Sequence, residues 1–158
     1  MGDKKLTMAI AAMAATVFFS SCGKKPDNGL VTCLVETQQL TIDNGYLITV
    51  PTYGCGGCRN SVIEFSKTIP PNRKVFVVFH GEQSKENRIM FGDLVKENEN
   101  VFFDSTGCIK EENNIYPQLL EIRDGQAQPS VALEGEAVGP MLNKLRNLLN
   151  VTRQPSSH

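Results

Sequence analysis

The fold of this chain is decided by residues 46–69, which read YLITVPTYGCGGCRNSVIEFSKTI. The first five residues are rich in apolar and β-branched side chains and predict a strand, and residues 59–69 carry apolar side chains at helical spacing and predict a helix. Between them, Cys55 and Cys58 are three positions apart, so their thiols can close a disulfide with each other. If a helix begins at this motif, both cysteines lie on the same side of its first turn.

Strand and helix patterns alternate along the rest of the chain. Residues 75–79 form an uninterrupted apolar run, which is typical of a strand covered on both faces in a parallel sheet. Residues 30–40 contain strand-forming residues and predict an opening or edge strand. The other predicted elements are a helix at 86–97, a strand at 101–103, a hairpin of strands 117–123 and 128–133 around Asp124-Gly125, and a helix that opens at Gly139-Pro140. This order predicts an α/β domain over residues 30–151, in which a central mixed sheet has helices on both faces, and a disordered tail at 152–158.

The first 21 residues have the pattern of an export signal. Two lysines precede an apolar run of 14 residues, which is too short to span a bilayer. The run ends in FSSC at residues 19–22, which resembles the bacterial lipobox, although a leucine usually stands at the first of these positions. We therefore expect removal of residues 1–21, lipidation of Cys22 and a polar tether at 22–29. An ordinary cleaved signal or an uncleaved anchor is the alternative.

Export and charge limit the location and the partners. A lipidated Cys22 predicts a protein anchored in the bacterial cell envelope and facing the periplasm. Gly23 lacks the aspartate that retains many lipoproteins in the inner membrane, which favours the outer one. Removal of the signal moves the formal charge from −1 to −2, so nothing basic enough to bind nucleic acid remains.

The motif and two later features together resemble a known fold. The first is the CxxC between a strand and a helix, the second is YPQLLEIRDG at residues 116–125, and the third is the amphipathic terminal helix. In this combination residues 46–149 resemble thioredoxin-fold proteins, in particular the exported, membrane-tethered thiol–disulfide oxidoreductases of the TlpA-like and redoxin-like type. The resemblance implies a three-layer sandwich that needs no cofactor and no metal. It also implies two kinds of partner, exported proteins with cysteines or disulfides and, for a reductase, a membrane electron donor.

Each matching residue then has an expected role. Cys55 would be the exposed attacking thiol and Cys58 the resolving one, because the helix buries its later turns. The resemblance implies a cis bond before Pro117, and a substrate-binding shelf formed by Tyr116 and Pro117 beside Gly54.

Departures from the family obscure the redox character. Gly54 stands where many members have Trp, and Thr49 stands where many thioredoxins have a buried acid. The dipeptide between the cysteines is Gly56-Gly57 rather than Gly-Pro. Arg59 follows the motif and could bias the local electrostatic field, although a solvated surface charge is the expected interpretation. Reducing, oxidising and isomerising activities all stay open.

The remaining cysteines and several alternative functions also stay open. Cys33 and Cys108 are either bridged or two separate thiols.

The motif could be a static disulfide in a redox-inert surface lipoprotein, or it could hold zinc together with Cys33, Cys108 and His80. His80 is otherwise expected to be a strand-end residue. The spacing of Pro51 from the motif also fits a peroxiredoxin-like thiol peroxidase, in which Cys58 would attack peroxide.

Overall fold

The structure is a computed structural model that describes residues 28–71, 74–82, 84–110 and 114–151. The predicted signal sequence, the lipidation site at Cys22 and the predicted tail lie outside the described residues. In chain order the elements are α1 (Asn28–Gln38), β1 (Gly45–Pro51), α2 (Gly56–Ser66), β2 (Val75–His80), α3 (Lys85–Glu97), β3 (Val101–Phe103), β4 (Gln118–Arg123), β5 (Gln126–Ala127), β6 (Val131–Ala132), a short 3-10 helix (Gly135–Ala137) and α4 (Val138–Val151).

The strands form one mixed sheet in the order β3-β2-β1-β4-β5, with β6 also paired to β4. Strands β1, β2 and β3 run parallel, whereas β4 is antiparallel to β1, β5 and β6. Every residue of β2 is buried, because this strand lies between two others and both of its faces are covered. The α/β class, the mixed sheet and the doubly covered strand are therefore confirmed.

Helices cover both faces of the sheet. On one face α2, α3 and α4 bury Val62, Phe65, Phe91, Leu142 and Leu145 against alternate residues of β1 and β2. On the other face α1 buries Val31 and Leu34 against the remaining alternate residues, among them Leu47, Phe76 and Val78. The motif helix α2 thus belongs to the three-helix face, and among the described residues α1 is the one helix on the opposite face.

The prediction of a strand at residues 30–40 is wrong, because most of this segment is helix α1. Val31 and Leu34 are three positions apart and only 3% and 1% exposed, so the helical spacing delivers both to the sheet. Burial of side chains of this size contributes about 2 kcal/mol each, which outweighs the weak strand preference of the local sequence. The helix also includes Asn28 and Gly29, which the sequence assigned to the tether.

The hairpin forms at the predicted place, but its second strand is interrupted. Asp124 and Gly125 have φ values of 50° and 71°, which fit a two-residue turn of the I′ type. The returning strand, predicted at 128–133, is extended only at β6, and a further short strand, β5, precedes the predicted range; the two pair with opposite ends of β4. Pro129 lies in the gap, and a proline has no N–H to donate to a sheet.

Candidate active site

The two motif cysteines form a disulfide at the amino end of helix α2. Their Cα atoms are 5.4 Å apart. Cys55 is the N-cap residue of the helix, with an extended backbone (φ −66°, ψ 97°), and its Sγ accepts a hydrogen bond of 3.3 Å from the backbone N–H of Cys58. Helix α2 begins at Gly56, three residues before the predicted start, because the Cys55 sulfur serves as its cap. The Cys55 sulfur therefore lies at the amino end of the helix, where backbone N–H groups have no intrahelical acceptor and the helix dipole is positive.

The two cysteines differ in access, in the direction that the sequence predicted. Cys58 is only 6% exposed and belongs to the core beneath α2, whereas Cys55 is half-buried at the edge of that core. A Cβ atom added at Gly56 or Gly57 would meet nothing within 4 Å, so the surface above the motif is open. A partner can therefore reach Cys55 far more easily than Cys58. The same burial counts against the peroxidase alternative, which needs peroxide to reach the Cys58 sulfur.

The segment before β4 lies beside the motif. The backbone N–H of Cys55 donates to the carbonyl of Ile115 over 2.9 Å, which brings the neighbouring Tyr116 and Pro117 close to the disulfide. Gly54 makes this approach possible, because its φ of +88° suits glycine and an added Cβ would lie 2.7 Å from the Ile115 Cβ. Gly54 was predicted to bind substrate, and in the structure it is the residue that lets the two segments touch.

Pro117 was predicted to follow a cis peptide bond, and this is wrong: the described residues contain no cis peptide bond. The two isomers of an X-Pro bond differ by only about 0.5–1 kcal/mol, so tertiary contacts decide between them. Here the Ile115 carbonyl is held by Cys55 on one side, and the Pro117 carbonyl accepts from Leu133 N–H over 2.7 Å on the other. These two anchors carry the chain into β4 with a trans bond.

Tyr116 is half-buried against the core that contains Cys55. Its carbonyl accepts from Gln118 Nε2 over 3.2 Å. In the part of the chain that the structure describes, its hydroxyl forms no hydrogen bond with Cys55. Tyr116 therefore contributes to the site by its backbone and by its ring, and not through a polar contact to sulfur.

Arg59 is not the solvated surface charge that the sequence predicted. It is half-buried in the first turns of α2, and its Nη1 donates to the carbonyl of Thr52 in the loop before the motif. Thr49 is 4% exposed, so a buried neutral side chain occupies the position where the resembled family often has an acid. The sequence did place Arg59 next to the motif, but it could not show that the guanidinium folds back onto the preceding loop.

The other two cysteines also form a disulfide, on the opposite face of the sheet. Cys33 of α1 and Cys108 of the loop after β3 have Cα atoms 5.6 Å apart, and the bond joins residues 75 positions apart in sequence. The hydroxyls of Thr37 and Thr106 lie 3.4 and 3.2 Å from the Cys108 sulfur. This bond links helix α1 to the loop after β3. Of the two alternatives that the sequence left open, a bridge or two separate thiols, the structure has the bridge.

Sequence reasoning missed Asp104, which holds the loop that carries Cys108. Asp104 is 5% exposed, and its carboxylate accepts hydrogen bonds of 2.7–3.0 Å from the N–H groups of Thr106, Gly107 and Ile109 and from the Thr106 hydroxyl. Burial raises the pKa of this carboxyl, but the hydrogen bonds outweigh burial and hold the pKa below its ordinary value. The sequence DSTG at 104–107 is a typical Asx-turn signal that could have revealed it.

The residues of the zinc alternative do not come together. The two disulfides belong to cores on opposite faces of the sheet. His80 is the last residue of β2 and is 5% exposed, which confirms its place at a strand end. Among the described residues no group of three or more His, Cys, Asp or Glu side chains could hold a metal ion.

Comparisons with known proteins add no relatives. No protein-family model matches the chain, and no curated protein matches it either. None of the helices in the described ranges is long and apolar enough to cross a membrane.

Proposed function

We propose that this chain is a thioredoxin-like thiol–disulfide exchange protein, tethered to the bacterial cell envelope through a lipid on Cys22 and acting on the cysteines of exported proteins. The observation that carries the proposal is the position of Cys55. Its sulfur caps a helix, the residue is half-buried and lies beside an open surface, while its disulfide partner Cys58 is buried. A static disulfide needs none of these properties, and a bond across so short a loop stabilises the fold less than one that closes a long loop.

Exchange proceeds in two displacement steps. The Cys55 thiolate attacks one sulfur of a substrate disulfide, a bond forms between the two sulfurs, and the other substrate sulfur leaves as a thiolate that takes a proton from water. The Cys58 thiol then loses its proton to water and its thiolate attacks the Cys55 sulfur, which closes the Cys55–Cys58 disulfide and releases the first substrate sulfur as a thiolate. Two electrons pass from the protein to the substrate. The same steps in reverse oxidise a substrate dithiol.

The surroundings of Cys55 suit an extended peptide. The N–H of Tyr116 has no hydrogen-bond partner among the described residues and can pair with the backbone of a substrate, a short form of strand addition. Tyr53 and Ile115 flank the site and are 38% and 46% exposed. These side chains offer apolar contact to a partially unfolded substrate.

The second disulfide supports the location outside the cytosol. Disulfides persist in exported proteins and are rare in cytosolic ones, where thiols are kept reduced. The Cys33–Cys108 bond sits away from the candidate active site and ties α1 to a loop, which is the role of a structural bridge. This agrees with the export signal predicted at residues 1–21.

The test is disulfide exchange by the purified full-length chain. The reduced protein should reduce the disulfides of insulin, and Cys55→Ser should abolish this. Cys58→Ser should accumulate mixed disulfides with envelope proteins in cells, because the resolving thiol is missing. The matched control is Cys33→Ala with Cys108→Ala, which should keep the exchange activity. The proposal is wrong if the reduced wild type does not exchange and Cys58→Ser captures no protein.

A further inference from the structure

Arg59 is the only charged residue between Gly45 and Ile63, the stretch that contains β1, the motif and the first turns of α2. The segment Tyr116–Leu120 beside the motif carries no charge either. Within these two described segments, Arg59 therefore supplies the only formal charge beside the motif, in addition to the partial charge of the helix end.

The backbone places Arg59 one helical turn from the attacking sulfur. The N–H of Arg59 donates to the carbonyl of Cys55 over 3.0 Å, the first intrahelical bond after the cap. The side chain folds back to the carbonyl of Thr52, in the loop that leads into the motif. The charge is thus held on the Cys55 side of the helix, between the cap and the preceding loop.

The position of Arg59 is unfavourable for a charge in the oxidised protein. A cation near the amino end of a helix opposes the helix dipole. The Nε atom is buried and has no hydrogen-bond partner among the described residues, and a buried donor without a partner carries a desolvation cost. Among the described residues, no carboxylate forms an ion pair with Arg59. A negative charge on the Cys55 sulfur, present only after the disulfide is reduced, would offset the positive charge of Arg59.

We propose that Arg59 stabilises the Cys55 thiolate and so makes the Cys55–Cys58 couple more oxidising; this rests on the proposed exchange function. When the disulfide is reduced by two electrons, the Cys55 thiol gives its proton to water and its thiolate faces the cap N–H group and the guanidinium together. Stabilising the reduced form raises the reduction potential. Arg59 acts on the potential through charge and takes no part in bond making.

The experiment compares Arg59→Met, which keeps the aliphatic stem and removes the charge, with Arg59→Lys, which keeps a charge. The Cys55 pKa is read from the pH dependence of its alkylation by iodoacetamide in the reduced full-length protein. Arg59→Met should raise the Cys55 pKa by about one unit, whereas Arg59→Lys should keep most of the wild-type value. Against glutathione, Arg59→Met should shift the equilibrium about tenfold towards the disulfide, which corresponds to about 30 mV for two electrons. Lys67→Met, at the exposed far end of the same helix, is the control and should change neither value.

The outcomes separate this proposal from the proposed function. Alkylation needs no protein partner, so it tests Arg59 even if the chain exchanges no disulfides. A purely structural role would lower the thermal stability of Arg59→Met and leave the Cys55 pKa unchanged, and that result would overturn the proposal. If Arg59→Met does not fold, Arg59→Gln keeps a donor for the Thr52 carbonyl and gives the same comparison. A wild-type Cys55 pKa at or above the free-thiol value of about 8.5 would also overturn it.

Discussion

Removal of the Cys33–Cys108 disulfide should destabilise the protein much more than removal of the Cys55–Cys58 disulfide. The first bond closes a loop between residues 75 positions apart and the second a loop between residues three apart. In the chain-entropy description, a crosslink raises the free energy of the unfolded state by an amount that grows with the logarithm of loop length. This gives about 4.5 kcal/mol for the long loop and about 2 kcal/mol for the short one.

The double variant Cys33→Ala, Cys108→Ala measures the first value. The matched variant is Cys55→Ser with Cys58→Ala, because serine at position 55 keeps an acceptor for the helix cap and isolates the effect of the bond. Both are compared with the wild type by urea unfolding without reductant. The first variant should still fold, because Val31 and Leu34 keep α1 on the sheet.

This reasoning would be refuted if the Cys33–Cys108 variant lost no more free energy of unfolding than the motif variant. Equal losses would mean that loop length does not govern the contribution of either bond. A loss below about 1 kcal/mol would mean that the unfolded chain already holds α1 near its loop. Neither outcome follows from the geometry described here.

Two further predictions concern local structure. Gly54→Ala should lower the free energy of unfolding by about 1–3 kcal/mol in urea unfolding, because its positive φ and the close Ile115 backbone both oppose a Cβ. The control is Gly56→Ala, which should change the free energy of unfolding by less than about 0.5 kcal/mol because the space around Gly56 is open. Equal losses at the two positions would contradict this prediction. Asp104 has a lowered pKa when folded, so it contributes stability that is complete above its unfolded value of about 3.9 and is lost as the pH falls through the folded value. The stability difference between wild type and Asp104→Asn should therefore be constant above about pH 5 and shrink in acid, and a difference that stays constant down to pH 2 would contradict the assignment.

Elements with a strong local signal were predictable from the sequence. The run at 75–79 can only be satisfied by burial on both faces, and it became β2. The hairpin turn needs two residues with positive φ, which Asp124-Gly125 supplies. The N-cap of α2 was harder to predict from the sequence, because cysteine is an unusual N-cap residue and its role depends on where the helix begins.

Elements with a weak local signal were decided by packing. Residues 30–40 contain strand-forming side chains, but they lie over one face of the sheet, where helix α1 buries Val31 and Leu34. The isomer before Pro117 was set by hydrogen bonds to Cys55 and Leu133, which are distant from each other in sequence.

The sequence alone determined the pair of thiols, its place between a strand and a helix, and the order of most elements, because these depend on composition and short periodicities. Tertiary structure alone decided that Ile115 lies against Gly54, that Cys33 meets Cys108 and that the Arg59 guanidinium turns back to Thr52. Each of these depends on contacts between segments that the chain brings together only when the sheet and its two cores form. No local pattern can encode the distance between residues far apart in sequence.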